Sequence, residues 1–561
     1  MSVYNKLSEE RKKLQAEGLA PEWYTTPGWQ LFKEKYLYRA NNPKEQYERI
    51  AFTLATHTDN PNVWKDIFFN LLWKGWLSPS TPVLANIGTT RGLPVSCGGS
   101  YIEDSIDSIY SGLHETAALT KAGFGTASYL GDIRPRGAEI SVGGKSSGVL
   151  PVLQTYRQAM QYVAQGTSRR GSWAGYLPID HGDFPEVCDD LLHNPDGNNI
   201  GWCIPDSFIE KLKEGDTEAV DRYRMAMKTK MITGKGYFFF PDKANAKRPQ
   251  WYVDQDLDIK APQLCAEIML HSSKDYTYTC VLSSMNVSLY DEWKDTDAVF
   301  HATVFLDAVC QEFIERGKNV PGLEKAIAFT KRSRALGLGV CGLHTLFQKK
   351  RMVFGDLQTI MLNREIFNHL DKESRRASEY LAKTWGEPKW MKGYGMANTH
   401  RIAVAPTKST ALIMGGVSEG INPDTAFVYT QRTAAGEIER INPILIELMK
   451  EKGVYSKKYI EEVRDAMGSV QNVDWLDDYE KEVFRTAFEI PQMAVLQLAS
   501  QRSEFIDQWQ SLNLFFAADG DEAYINDVHK EAFKDPNILA LYYVYSKAGV
   551  QASKDECVAC Q

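Results

Sequence analysis

Apolar residues recur at three- and four-residue spacing through YERIAFTLATH and WKDIFFNLLWKGWL (Trp64 to Leu77), the period of a helix with one buried face. Pro61, just ahead of the second run, is a helix-start signal. Residues 1–80 therefore predict a small helical N-terminal domain. From Ser78 onward the pattern changes. Short apolar or β-branched runs, set apart by Gly and Pro clusters, alternate with amphipathic stretches such as TYRQAMQYVAQ, AVFHATVFLDAVCQEFIERG and FNHLDKESRRASEYLAKTWG. That alternation predicts an α/β body. No repeat of 20–50 residues and no low-complexity linker interrupts it, so residues 81–545 read as one large domain. The last stretch, AGVQASKDECVACQ, is small, polar and aperiodic, which predicts a mobile tail over 546–561.

Composition narrows the function. With 561 residues, 43% hydrophobic and 24% charged, the chain can bury a large core. A formal charge of −8 offers no general attraction to phosphate backbones and argues against nucleic acid as a partner. The N-terminus is charged, and no apolar run approaches the roughly 20 residues of a membrane helix, so the expectation is a soluble cytoplasmic protein. Nine cysteines (97, 188, 203, 265, 280, 310, 341, 557, 560) are scattered along the chain, as in a protein of a reducing compartment whose disulfides cycle rather than staple.

Several groups carry candidate chemistry. Cys557 and Cys560 form a C-x-x-C, which suits a redox dithiol; the same spacing is half a zinc site, but no second ligand pair lies near it. Cys265 stands two residues before Glu267, and in an extended segment such positions project to one side; a lone cysteine is otherwise a small buried hydrophobe. Tyr542 and Tyr543 in ILALYYVY read equally as core packing. Thr407, Lys408, Ser409 and Thr410 in VAPTKSTALIMGG precede an apolar run and suit either a phosphate loop or a helix cap. GLGVCG (Gly337 to Gly342) matches a dinucleotide fingerprint, but the next acidic residue, Asp356, is only 14 positions on, so close packing in a barrel strand is the better reading.

The company of these groups is more specific than any one of them. PVSCGGSYIEDSIDSIY surrounds Cys97, YTYTCVLSSMNVSLY surrounds Cys280 and LALYYVYSKAG holds the tyrosine pair. With Cys265 and the tail dithiol, this ordered set resembles the class I ribonucleotide reductase large (alpha, catalytic) subunit from about residue 70 to the C-terminus. The resemblance implies a ten-stranded α/β barrel made of two five-stranded parallel halves, with a finger loop bearing Cys265 at its centre. It implies that a Cys265 thiyl radical removes the ribose 3′-hydrogen, Glu267 takes the 3′-hydroxyl proton, and Cys97 protonates the departing 2′-hydroxyl. Cys97 and Cys280 would then supply two electrons as a disulfide, which Cys557 and Cys560 reduce in exchange with thioredoxin or glutaredoxin.

By the same resemblance, Tyr543 receives oxidation from a metal-containing, radical-generating small (beta) subunit and Tyr542 passes it to Cys265. No metal or cofactor is expected in this chain itself. Thr407, Lys408, Ser409 and Thr410 would hold substrate phosphate, with Thr81 and Ser96 as further substrate contacts. A nucleotide effector (ATP or a dNTP) would bind at Asp104 with Arg134 or Arg136, and HNPDGNNIGW would relay its identity to the substrate base. Diphosphate substrates and a homodimer are implied. Two positions depart from the pattern: Gln263, where Asn is more frequent, and Lys408, where Glu is common. No ATP-binding cone is recognisable ahead of the helical segment, so dATP on/off control through that module is expected to be absent. A cobalamin-dependent reductase shares the central cysteines and the tail dithiol but has no need of Tyr542 and Tyr543. A non-catalytic nucleotide-binding homologue has no use for the full cysteine set.

Overall fold

The computed structural model describes residues 3–141, 143–165, 169–196, 199–433, 436–518 and 520–546. The N-terminal segment is helical as its periodicity predicts, with helices Val3–Ala16, Thr26–Leu31, Pro43–Ala55 and Pro61–Trp73. Pro43 and Pro61 stand in the first helical turn, where an N–H has no intrahelical partner to lose, and Asn42 caps its helix by accepting from the Glu45 N–H. The fourth helix stops at Trp73, short of the apolar run that ends at Leu77. Gly75 turns the chain at φ 70°, and Leu77–Pro79 instead pairs antiparallel with residues 283–285.

The α/β body is built on five parallel strands: β1 (Cys97–Tyr101), β2 (Gly125–Tyr129), β3 (Trp173–Pro178), β4 (Asn199–Cys203) and β5 (Tyr237–Phe239). The second half begins at β6 (Tyr278–Asn286), antiparallel to β1, and continues with β7 (Leu336–Cys341), parallel to β6. Parallel bridges Leu338↔Ile402 and Val404↔Gln510 add two further staves. Beyond them lie β8 (Leu514–Phe516), β9 (Ala540–Leu541) and β10 (Val544–Ser546). Strand β9 is antiparallel to β5, and the Tyr542 N–H bonds the Leu512 carbonyl. Two parallel halves thus meet antiparallel at β1/β6 and β5/β9, the ten-stave α/β barrel that the resemblance implies.

Long amphipathic helices cover the barrel, including Ala298–Gly317 and Leu357–Trp385. One apolar core runs from Tyr24 and Trp29 in the helical segment through the barrel to Val544. A smaller cluster around Phe427, Leu445 and Phe484 is separate from it. The glycines of GLGVCG belong to β7 and serve close packing. A Cβ on Gly337 would lie 2.2 Å from Leu282 Cδ2, and one on Gly339 would lie 2.6 Å from the Ala403 carbonyl oxygen. Among the described residues, no helix is long and apolar enough to cross a membrane.

Candidate active site

Register brings the first two cysteines together. On adjacent antiparallel strands Cys97 is the Cα partner of Cys280, although 183 positions separate them in sequence. Directly opposed Cα atoms in such a ladder are about 4.5 or 5.5 Å apart, and both values lie inside the roughly 4.4–6.8 Å range a disulfide spans. Both cysteines are buried and neither is joined in a disulfide. Burial pushes the Cys280 thiol well above its ordinary range, partly offset by the Gln508 side-chain amide 3.5 Å away. At neutral pH Cys280 therefore rests as a thiol, not a reactive thiolate.

Cys265 reaches the same place on a finger. The segment around it is not the extended run that the i, i+2 argument assumed: it turns tightly, with Ala266 at φ 66°. Gln263 builds the turn. Its Oε1 accepts from the Cys265 N–H at 2.9 Å, while its Nε2 donates to Glu267 Oε2 at 2.7 Å. The Tyr176 hydroxyl holds the Gln263 carbonyl from strand β3, and the Trp509 N–H holds the Glu267 carbonyl. The Ser511 hydroxyl lies 2.8 Å from the Cys265 carbonyl and 3.1 Å from Glu267 Oε2. A thiol and a carboxylate are thereby fixed in the lining of one cavity, which Cys97 also lines. Glu267 is only 1% exposed, and a carboxylate that deep is held by paired donors.

Hydroxyl residues make up most of the remaining lining, Ser78, Ser80, Thr81, Ser96, Ser283, Ser284, Thr407 and Thr410, beside Leu264, Leu282, Ala405 and Pro406. Ser96 Oγ donates to Ser80 Oγ, and Thr81 shares a hydrogen bond with Tyr36 of the helical segment. Thr407 stands at φ 56° just before the short helix Lys408–Ile413, its hydroxyl accepting from the Gly420 N–H. Lys408 and Ser409 are not among the cavity-lining residues. The Lys408 side chain instead turns to Tyr545, with its Nζ 5.8 Å from the ring centre.

The tyrosine pair abuts the finger. The rings of Tyr542 and Tyr543 lie 4.3 Å apart, and Tyr237 of β5 packs 4.6 Å from the first and 5.2 Å from the second. The Tyr542 hydroxyl is in hydrogen-bonding contact with Cys265. Burial raises its pKa well above the phenol range, and Cys265 adds to the effect; burial and Tyr545 push Tyr543 up to about 12. Lys230, fully buried, donates to the Tyr542 carbonyl at 2.7 Å and to the Gly236 carbonyl at 3.2 Å. Burial without a carboxylate partner pulls its ammonium down to about 7.

Asp104 and Arg134 form an ion pair beyond the carboxyl ends of β1 and β2, the edge at which α/β sheets hold ligands. Arg136 lies apart from that pair, bidentate on Glu186. In HNPDGNNIGW, Gly197 and Asn198 fall outside the described residues, as do Cys557 and Cys560. Sequence reasoning missed Ser511, Gln508, Lys230 and Tyr237. Only Ser284 left a trace, because strand alternation from Cys280 puts it on the same face of β6.

Comparisons with known proteins find similarity over most of the chain. A family model described as the ribonucleotide reductase barrel domain matches residues 95–220, 211–393 and 389–544, and one described as the ribonucleotide reductase all-alpha domain matches 22–92. The chain is 32% identical over 523 residues to a putative ribonucleoside-diphosphate reductase large subunit of Frog virus 3 (isolate Goorha), covering 87% of this chain and 91% of that protein. It is 27% identical to the ribonucleoside-diphosphate reductase large subunit of Invertebrate iridescent virus 3, covering 93% of each. Among solved structures, the Actinobacillus ureae class Id ribonucleotide reductase alpha subunit superposes with a TM-score of 0.87 at 36% identity, covering 96% of this chain and 98% of that one.

Proposed function

The chain belongs to the ribonucleotide reductase large-subunit family, and from that premise we propose a role for each group in its site. It is the catalytic subunit of a class I ribonucleoside-diphosphate reductase, which replaces the ribose 2′-hydroxyl of a nucleotide by hydrogen. The observation that carries the assignment of roles is the convergence of Cys97, Cys265, Gln263 and Glu267 on one hydroxyl-lined cavity, with Cys280 directly opposite Cys97.

In this reading the Cys265 thiyl radical takes the 3′-hydrogen, and Glu267, held by Gln263, accepts the 3′-hydroxyl proton as general base. Cys97 gives its proton to the leaving 2′-hydroxyl, so that water departs. The two electrons that complete the reduction come from Cys97 and Cys280 as their S–S bond forms, and Cys265 returns the 3′-hydrogen. Each turnover thus converts one C–OH and two thiols into one C–H, one disulfide and one water. Cys557 and Cys560 reduce that disulfide by exchange and are reduced in turn by thioredoxin or glutaredoxin. The hydroxyls of Thr81, Ser96, Thr407 and Thr410 orient the substrate, which is taken as the diphosphate. The Asp104–Arg134 pair is the place for effector ribose and phosphate.

A class I enzyme draws its radical from a separate small subunit. Support for where that subunit docks comes from an apolar groove of about 1160 Å³ between helices Thr217–Thr233 and Glu522–Lys534, lined by Tyr223, Met227, Met231 and Phe533 with Ser546 also in its lining. Ser546 is three residues from Tyr543, so a partner seated there lies beside the segment that carries the tyrosines. Deoxynucleotide formation from the four ribonucleoside diphosphates, with dithiothreitol, effectors and the small subunit from the same source, tests the assignment. Product with the wild-type chain and none with Cys265→Ser, which should still bind nucleotide, is the expected result. Product from adenosylcobalamin alone, or undiminished activity of Cys265→Ser, would overturn it.

A further inference from the structure

We propose that Tyr545 is a third redox-active tyrosine of this chain, the one oxidised first by the small subunit, and that Lys408 holds it against Tyr543. The inference rests on the relay reading of Tyr542 and Tyr543 above and moves its point of entry from Tyr543 to Tyr545.

Spacing is the first argument. The Tyr543 and Tyr545 rings lie 5.5 Å apart and are tilted by 36°, a step little longer than the 4.3 Å from Tyr542 to Tyr543. Positions 543 and 545 are i and i+2 on an extended segment, so their side chains share a face. Exposure rises in the same order, from 2% at Tyr542 to 8% at Tyr543, with Tyr545 partly exposed. The next residue, Ser546, lines the apolar groove. Three phenols therefore lead in single file from the last described strand, β10, to Cys265.

Tyr545 is also held more firmly than an edge-strand residue needs to be. Strand β10 pairs parallel with β8, which sets Phe515 opposite Tyr545, and the two rings stack 5.2 Å apart at 12°. Lys408 approaches from the other element, its ammonium 5.8 Å from the centre of the Tyr545 ring. Burial disfavours the Lys408 charge, but Tyr545, Glu419 and Tyr543 outweigh it and keep the ammonium protonated. A fixed positive charge beside a phenol opposes a radical cation on the ring. Oxidation of Tyr545 must then remove its proton together with its electron.

The transfer balances without any further reactant. The small-subunit radical takes one electron and one proton from Tyr545, breaking its O–H bond and leaving a neutral phenoxyl. That phenoxyl takes an electron and a proton from Tyr543, re-forming the Tyr545 O–H bond as the Tyr543 O–H bond breaks. Net charge beside Lys408 is the same before and after. This arrangement also gives the lysine a use at a position where the phosphate cavity does not receive its side chain.

Replacement of Tyr545 by the more easily oxidised 3-aminotyrosine in the full chain, mixed with wild-type small subunit, a ribonucleoside diphosphate and effector, tests the proposal by electron paramagnetic resonance. An aminotyrosyl radical at position 545 is expected. The same substitution at 543 serves as the control. A radical at 543 with none at 545 overturns the proposal alone, whereas none at either position overturns the relay reading and the proposal with it. Tyr545→Phe, which keeps the stack on Phe515, should lower deoxynucleotide formation at least 10-fold while nucleotide and small-subunit affinities stay within 2-fold. Undiminished activity in that variant would contradict the proposal.

Discussion

Gln263 uses both ends of its amide inside the finger, one on the Cys265 N–H and the other on Glu267. A shorter Asn, the more frequent residue at this place in the resembling family, lacks one methylene of that reach. Gln263→Leu removes both bonds and leaves a buried N–H and a buried carboxylate each short of a partner, at a cost of about 1–3 kcal/mol. Because the base and the thiol then lose their fixed relation, kcat should fall on the order of 100-fold, with nucleotide affinity little changed; a kcat within 2-fold of wild type would deny Gln263 that role. Lys230 makes a second prediction. Burial depresses its pKa to about 7 in the folded chain, against about 10.4 when unfolded. Between those values the unfolded state binds the extra proton, so stability from this group rises with pH from 7 to about 10 and is lost as pH falls back from about 10 to 7, with no further change below 7. A neutral amine still has two N–H bonds for the carbonyls of Tyr542 and Gly236. Lys230→Met should flatten the difference between urea midpoints at pH 7 and pH 9, and an unchanged pH dependence would contradict the assignment.

Strand packing carries the consequences at the next scale. A Cβ on Gly339 would meet the Ala403 backbone oxygen at 2.6 Å, and a backbone atom cannot swing aside as a side chain can. Gly339→Ala should therefore destabilise the protein by about 1–3 kcal/mol, read as a lower urea midpoint, and a neutral result would show that the β7 stave is free to shift. Much at this scale was legible in the sequence. The helical periods of residues 47–57 and 298–317, the Pro61 start and the glycine-rich β7 follow from local rules, because each depends on neighbours a few residues away. The pairing of Cys97 with Cys280 does not, since register across 183 residues depends on the whole barrel; resemblance supplied it. The i, i+2 argument for Cys265 and Glu267 reached the right cavity by the wrong geometry, an extended run in place of a turn at Ala266. For Lys408 the backbone position in the loop was readable. The direction of its side chain was not, because the site that attracts it, Tyr545, lies 137 positions away.

At the scale of the molecule, the barrel joins two places that must communicate. Helix Thr217–Thr233 presents Met227 and Met231 to the apolar groove, and from the same helix Lys230 holds the Tyr542 carbonyl. Met227, Lys230 and Met231 are i, i+3 and i+4 on this helix, so the docking proposed above would bear on the residue that holds the relay segment. Met231→Glu places a carboxylate in the groove and should weaken small-subunit binding at least 10-fold, about 1.4 kcal/mol, with nucleotide affinity unchanged; binding as tight as wild type would move the docking surface elsewhere. The central claim concerns the origin of the two electrons. It is tested most directly by a single turnover of the pre-reduced Cys557→Ser/Cys560→Ser chain, with small subunit, substrate and effector but no external reductant, followed by mass mapping of disulfides. The account predicts one deoxynucleotide per active site, matched by one Cys97–Cys280 disulfide; product formed while both of those thiols remain free would contradict it.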